Sequence, residues 1–344
     1  MAKVRVGVNG FGTIGKRVAE AVMLQPDMEL VGVVKTRPDY SAVYAVKRGI
    51  KLYTLSSSIE EFKKRGIEVA GTLEDLLNEV DVIVDATPGG VGASYKPVYE
   101  KAGVKMVFQG GEKPDIAEIS FSTLCNYEQA LGKKSVRVVS CNTTALLRSI
   151  CTLNKLAPVK SVRATIVRRA ADPKETKRGP VNAIVPNPAR MPSHHGVDVQ
   201  TVLPWLDIVT SAVVVPTTLM HVHTVYARLE KSVALEDVVE AFEKAPRIVL
   251  VSSELGLKST ADLVEYMRDI GRKRYDMPEL AIWVESITVR GDEVMWMQAV
   301  HQESIVVPEN IDAIRALMRL TSSAQETIEI TDKTLGLLKG RLPG

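Results

Sequence analysis

The feature that most constrains this chain is a glycine pattern at its start. Residues 4–8 read as a short β-branched strand, and the run Gly7-Val8-Asn9-Gly10-Phe11-Gly12-Thr13-Ile14-Gly15 leads into a helical pattern over residues 14–23. Glycines at 10, 12 and 15 form G-x-G-x-x-G in a strand–turn–helix setting. The first permits a tight turn, the second lets backbone come close to a pyrophosphate, and the third lets the helix pack on the strand. The helix start adds N–H donors and a positive dipole end, which makes Gly10, Gly12, Thr13 and Ile14 candidate dinucleotide-binding residues.

The alternation continues for about 140 residues. Strand-like runs at 29–34, 80–86, 105–108, 120–122 and 137–140 are interleaved with helical patterns at 72–78 and 95–101, the signature of β-α-β units around a parallel sheet. A helix is expected at 143–155, followed by longer strands at 159–169, 209–215, 221–229, 280–289 and 293–300, which suggest a mostly antiparallel sheet with helices on one face. The expected fold class is therefore α/β: a Rossmann-type doubly wound parallel sheet domain, residues 1–140 plus a C-terminal helical segment 303–344, and an α+β catalytic domain, residues 141–302. Residues 172–202, with Pro173, Pro180, Pro186, Pro188 and Pro192, form a long loop of the kind that is usually functional.

Composition narrows the function. The 44 Lys and Arg stand against 41 Asp and Glu in an interspersed pattern, so no nucleic-acid partner is implied while small anionic substrates remain open. Without a run of about 18 apolar residues or a charged-then-apolar leader, the chain reads as cytoplasmic with no membrane partner. Cys125, Cys141 and Cys151 are too few for a secreted disulfide framework and lack C-x-x-C metal spacing. No metal site is expected.

About 20 residues past the glycines, where an NAD site carries an acidic residue, stand Lys35, Thr36 and Arg37. Two cations and a hydroxyl would attract a 2′-phosphate, so NADP is favoured with NAD tolerated; a solvated strand end is the plain alternative. Turns at Ala86-Thr87-Pro88-Gly89-Gly90 and Gln109-Gly110-Gly111 follow strand ends and are candidates for lining the cofactor. In Ser140-Cys141-Asn142-Thr143-Thr144, the cysteine follows a strand and begins a helix. A helix start favours thiolate over thiol, and the neighbouring N–H and Asn142 can steady an oxyanion. A cysteine nucleophile beside a nicotinamide implies aldehyde oxidation through a thiohemiacetal and a thioester. The base is sought among His194, His195, His221, His223 and His301. His221 and His223 would share a strand face, a spacing that also suits zinc, although no third and fourth ligands cluster nearby. Arg168 with Arg169, and His194 with His195, suit two anion sites.

The segments "GVNGFGTIGKRVA", "SCNTTALLR", "RRAADPKETKRGPVNAI", "PSHHGVD", "VPTTLMHVH" and "HQES" together resemble archaeal-type glyceraldehyde-3-phosphate dehydrogenase over essentially the whole chain. "SCNTT" departs from the S-C-T-T-N of the bacterial and eukaryotic branch. The resemblance implies Cys141 as nucleophile and points to His221 rather than His223 as base. It implies Ser140, Asn142, His195 and Gly196 as substrate contacts, with Gly111, Arg169 and Gln302 near the cofactor, while Arg168 and His194 remain candidates from the adjacent cations and imidazoles. The implied substrates are glyceraldehyde 3-phosphate and inorganic phosphate, and the implied assembly is a homotetramer. The rivals are aspartate-semialdehyde dehydrogenase, whose cysteine and arginine patterns differ, and a non-catalytic NADP-binding regulator. With only 8 Asn and 7 Gln the chain suits hot surroundings, and hyperthermophilic archaea use intracellular disulfides unusually often. Some enzymes it resembles bridge the equivalents of Cys125 and Cys151. Such a bridge would be worth roughly 3–4 kcal/mol in the chain-entropy model and would hold Cys141 in place, with two buried free thiols as the alternative.

Overall fold

The computed structural model describes residues 2–172 and 179–343. The chain divides into two compact units, Met1–Ser140 with Val307–Leu335, and Cys141–Val306 with Gly336–Gly344.

The first unit holds eight parallel strands among its described residues: β1 (Val4–Asn9), β2 (Met28–Val34), β3 (Leu52–Thr54), β4 (Gly71–Thr72), β5 (Val82–Asp85), β6 (Lys105–Gln109), β7 (Ile119–Phe121) and β8 (Ser135–Val138). Their order is β4-β3-β2-β1-β5-β6-β8-β7. The chain winds outward from β1 in both directions, so the switch point lies between β1 and β5. The carboxyl ends of those strands are where an open α/β sheet takes its ligand. Val6, Val8 and every residue of β5 are buried, as a parallel sheet covered on both faces requires. Helix Thr13–Met23 follows β1 directly, and helix Val307–Met318 packs beside it.

The second unit is built on a mixed sheet: β9 (Val159–Arg169), β10 (Val185–Pro186), β11 (Asp207–Val215), β12 (His221–Leu229), β13 (Ile248–Val251), β14 (Leu280–Trp283), β15 (Thr288–Arg290), β16 (Glu293–Val300) and β17 (Gly340–Leu342). The main path runs β10-β11-β9-β12-β16-β14-β13-β17, with β15 on β16. Pairings at β9, β12 and β16 are antiparallel, whereas β9–β11, β13–β14 and β13–β17 are parallel. Helix Cys141–Leu156 is buried without a break from Asn142 to Leu153, so its first turn is held by packing.

Two expectations are corrected. The C-terminal segment 303–344 does not stay with the first unit as a block, because residues 336–344 return to pair β17 with β13. The single strand expected at 280–289 is interrupted by a 3₁₀ turn at Val284–Ser286, where Ser286 closes back on the carbonyl of Trp283. Among the described residues no helix is long and apolar enough to cross a membrane.

Candidate functional site

In the first unit the glycine cradle is made by backbone. Gly10 has φ +99°, and a Cβ there would lie 2.6 Å from the Ala86 carbonyl oxygen, so the turns after β1 and β5 touch at the switch point. A Cβ on Gly15 would lie 1.8 Å from the Gly10 carbonyl oxygen, whereas one on Gly12 would meet nothing within 4 Å. The cradle is thus closed beneath and open above. Helix Thr13–Met23 begins with no acidic residue in its first turn, leaving its positive end unopposed, and Thr13 and Ile14 are partly exposed there. These residues fit a pyrophosphate. Gly89 and Gly111 meet at the neighbouring strand ends, and a Cβ on Gly110 would lie 2.2 Å from the Ser140 nitrogen. Asp85 anchors the first of these turns, accepting from the Thr87 N–H at 3.0 Å and from Tyr99 Oη at 2.7 Å.

Lys35 is not a free cation. Its Nζ lies 2.8 Å from Asp39 Oδ2, and Asp39 caps helix Tyr40–Lys47 by accepting from the Ser41 N–H at 2.8 Å. Burial works against the Asp39 carboxylate, but Lys35 and the cap bonds hold it below its usual range. Thr36 and Arg37 are exposed. The sequence reading missed Asp39, although its spacing of four from Lys35 was visible.

Cys141, at the start of the second unit, is the free cysteine; Cys125 in the first unit and Cys151 in the second are each disulfide-bonded. Cys141 is half-buried as a residue, yet protein crowds the sulfur enough that burial pushes the thiol up to about 11. Arg168, Arg169 and the Asn142 backbone N–H pull it down, and Glu303 adds to the rise. The helix start therefore does not by itself depress this thiol as expected, because desolvation of the buried sulfur outweighs the favourable charges.

Arg168 donates to Asn187 Oδ1, and its buried Nε has no partner among the described residues. Arg169 is engaged on both sides, with Nη1 2.8 Å from Glu303 Oε1 and Nη2 2.5 Å from Asp172 Oδ1. Gln302 Nε2 also donates to Glu303, at 2.8 Å, leaving Gln302 Oε1 a buried acceptor without a partner among the described residues. Residues 173–178 of "RRAADPKETKRGPVNAI" lie outside the described residues.

His221 Nδ1 accepts the Arg169 backbone N–H at 3.0 Å, which leaves the proton of the neutral ring on Nε2. Burial, then His223, Arg169 and Arg168, keep His221 well below its ordinary range. His221 in this form is a donor. His223 has both nitrogens occupied, Nε2 2.9 Å from Asn142 Oδ1 and Nδ1 3.1 Å from Gln298 Nε2. Among the described residues no three His, Cys, Asp or Glu side chains are grouped to hold a metal.

Helix His194–Gln200 carries the histidine pair, with ring centroids 3.9 Å apart. His194 is exposed. His195 is buried, with Nε2 3.2 Å from Asn142 Nδ2 and Nδ1 3.2 Å from Ser193 Oγ, and the Gly196 N–H donates to Thr210 Oγ1 at 2.9 Å. The expected ligand-binding groups of His195 and Gly196 are thus committed inside the protein: sheet residue Thr210 approaches the short helix closely enough to take the Gly196 N–H. The residues organising this region, Ser193, Thr210, Trp296, Gln298 and Glu303, were not singled out by sequence. Only the alternation of Trp296 and Gln298 on one strand face hinted at them.

The family description "Glyceraldehyde 3-phosphate dehydrogenase, C-terminal domain" matches residues 140–287, and "Dihydrodipicolinate reductase, N-terminus" matches residues 4–120. A glyceraldehyde-3-phosphate dehydrogenase of Hyperthermus butylicus is 74% identical over 343 residues, covering 100% of both chains. Proteins of that name from Aeropyrum pernix and Sulfurisphaera tokodaii are 62% and 59% identical, covering 98% and 99% of this chain and 99% and 100% of theirs. Among solved structures, aspartate semialdehyde dehydrogenase II from Vibrio cholerae aligns with a TM-score of 0.64 at 13% identity, covering 92% of this chain and 99% of its own, a likeness of fold.

Proposed function

Because the chain belongs to the glyceraldehyde-3-phosphate dehydrogenase family, we propose that it oxidises glyceraldehyde 3-phosphate to 1,3-bisphosphoglycerate with NAD(P) and inorganic phosphate. The observation that carries this reading is the environment of Cys141: a free thiol at the start of a buried helix, with Arg168 and Arg169 acting on its charge and on that of His221. The Cys141 thiol proton passes to solvent water, and the sulfur then attacks the aldehyde carbon and leaves an alkoxide. The Asn142 N–H and the Nε2–H of His221 are the donors that oppose the new charge. A bound nicotinamide would supply the hydride acceptor for this carbon. The resulting thioester is opened by a phosphate oxygen, the acyl phosphate departs and the Cys141 thiolate returns. His221 acts first as a donor in this scheme, which refines the role of base.

Arg168 and the exposed His194 are the cation and imidazole offered to the two phosphates, and Ser140 with Asn142 frames the thiol. Arg169 and Gln302 serve the cofactor side, where the Gln302 Oε1 acceptor suits a carboxamide N–H. NADP is favoured through Lys35, Thr36 and Arg37; Asp39 supplies an acceptor for a ribose hydroxyl, which supports NAD use too. A cytoplasmic homotetramer is the assembly proposed, with the exposed Val209, Tyr226 and Met297 on the second unit's sheet as apolar surface for association. Cys125 and Cys151 are each disulfide-bonded, which leaves Cys141 as the reactive thiol.

The test is NADPH formation, followed by absorbance, with glyceraldehyde 3-phosphate and phosphate, and separately with aspartate semialdehyde. Turnover of the first substrate alone is expected. Turnover of the second alone would replace the reading.

A further inference from the structure

One buried chain of hydrogen bonds in the second unit has a fixed direction. An indole N–H can only donate. Trp296 Nε1 donates to Gln298 Oε1 at 2.8 Å, which turns the Gln298 amide so that its Nε2 faces His223 Nδ1 at 3.1 Å. His223 Nδ1 must therefore accept, and His223 Nε2–H donates to Asn142 Oδ1 at 2.9 Å. Asn142 is turned in the same way: its Nδ2 donates to His195 Nε2 at 3.2 Å, so the His195 proton sits on Nδ1 and goes to Ser193 Oγ at 3.2 Å. Ser193 passes its hydroxyl proton to Thr210 Oγ1 at 2.7 Å. Thr210 also accepts the Gly196 N–H, and its own proton ends on the Ser193 carbonyl at 3.2 Å. Donors and acceptors balance at every step, and each of these side chains is at most 2% exposed. Cross-strand register supplies the second link, since His223 and Gln298 are paired residues on β12 and β16.

We propose that Trp296 and Gln298 are positioning residues that set the tautomers of His223 and His195 and thereby lock Asn142, whose backbone N–H reaches the Cys141 sulfur. Neither touches the reacting atoms. Reversing the chain at Gln298 would switch the tautomers of both rings and flip the Asn142 amide, whereas removing the indole N–H would leave the Gln298 amide free to turn. The titratable and charged groups around this chain are His194, Arg168 and His223 beside His195, and Arg168, Arg169 and Glu303 about Cys141.

This inference rests on the reading of Cys141 as nucleophile, and its test uses no turnover, so the two fail separately. Histidine side-chain NMR of the whole enzyme should show His223 protonated on Nε2 and His195 on Nδ1. In Gln298→Glu both should switch. In Trp296→Phe, which keeps the ring packed on Phe242, iodoacetamide alkylation of Cys141 at pH 7 should slow by roughly threefold to tenfold, with its pH midpoint raised; one weakened hydrogen bond to the thiolate has that effect. Wild-type tautomers of the opposite kind, a His195 that stays unchanged when His223 switches, or an unmoved alkylation profile would each overturn the proposal. If Gln298→Glu does not fold, the wild-type spectrum and Trp296→Phe decide.

Discussion

The cofactor cradle of the first unit and the thiol site of the second are built on different principles. The cradle is backbone: a turn, a helix start and three glycines within six residues, shaped by what a Cβ would strike. The thiol site is made of side chains drawn from a helix start at 141, a strand end at 168–169, a short helix at 194–196, a strand start at 221–223 and the turn at 301–303. A backbone site can be specified locally, because glycine spacing is itself the geometry. A side-chain site depends on sheet register, which no local pattern records.

The largest effect is expected from attacking the backbone site. Gly15→Ala places a methyl carbon where only 1.8 Å separates it from the Gly10 oxygen, so the turn must open. Dinucleotide binding, measured by fluorescence titration, should be lost, while Cys141 alkylation continues at the normal rate. Retained binding would show that the cradle is less rigid than its packing implies.

Next comes the side-chain site. His221→Ala should lower kcat by roughly 10²–10³-fold, the usual cost of one oxyanion donor. Loss of cofactor affinity instead of kcat would contradict the donor role.

The same site should be acid-sensitive. Burial holds His195 near 2 and His223 near 3, and His221 well down, against 6.5 in the unfolded chain. The unfolded state binds more protons below pH 6.5, so stability rises with pH through this window, is fully present above it and is lost as pH falls. Between pH 6.5 and 5.5 the loss is about 1 kcal/mol each for His195 and His223, about 2 kcal/mol for the two, with His221 adding in the same direction, before most carboxylates titrate. A Tm unchanged from pH 7 to 5.5 would show that the rings are not held neutral.

The smallest effect falls at the edge of the cradle. Lys35→Asp removes the cation, places a second carboxylate beside Asp39 and should weaken NADP about tenfold more than NAD. Equal losses in KM for both cofactors would remove Lys35 from 2′-phosphate recognition.

How far the sequence could be read follows the same division. β9, β12 and β16 have the expected limits, because each is a long strand-like run bounded by turn or charged residues, Pro158 before β9, Glu230 after β12 and Gly291-Asp292 before β16. Helices Leu235–Lys244 and Thr260–Asp269 went unnoticed among charged residues, and their caps, such as Ser259 accepting from the Asp262 N–H, are short polar signals easily lost. The glycine cradle and Cys141 were legible because each lies in one contiguous motif. The pairing of Lys35 with Asp39, the commitment of His195 and the chain from Trp296 were not, because each depends on where a side chain ends after folding.

The central claim is that Cys141 carries the acyl group. Rapid mixing with glyceraldehyde 3-phosphate and NADP in the absence of phosphate should release one NADPH per chain in a burst, with the acyl mass on the peptide containing Cys141. No burst, or an adduct on any other residue, would contradict it.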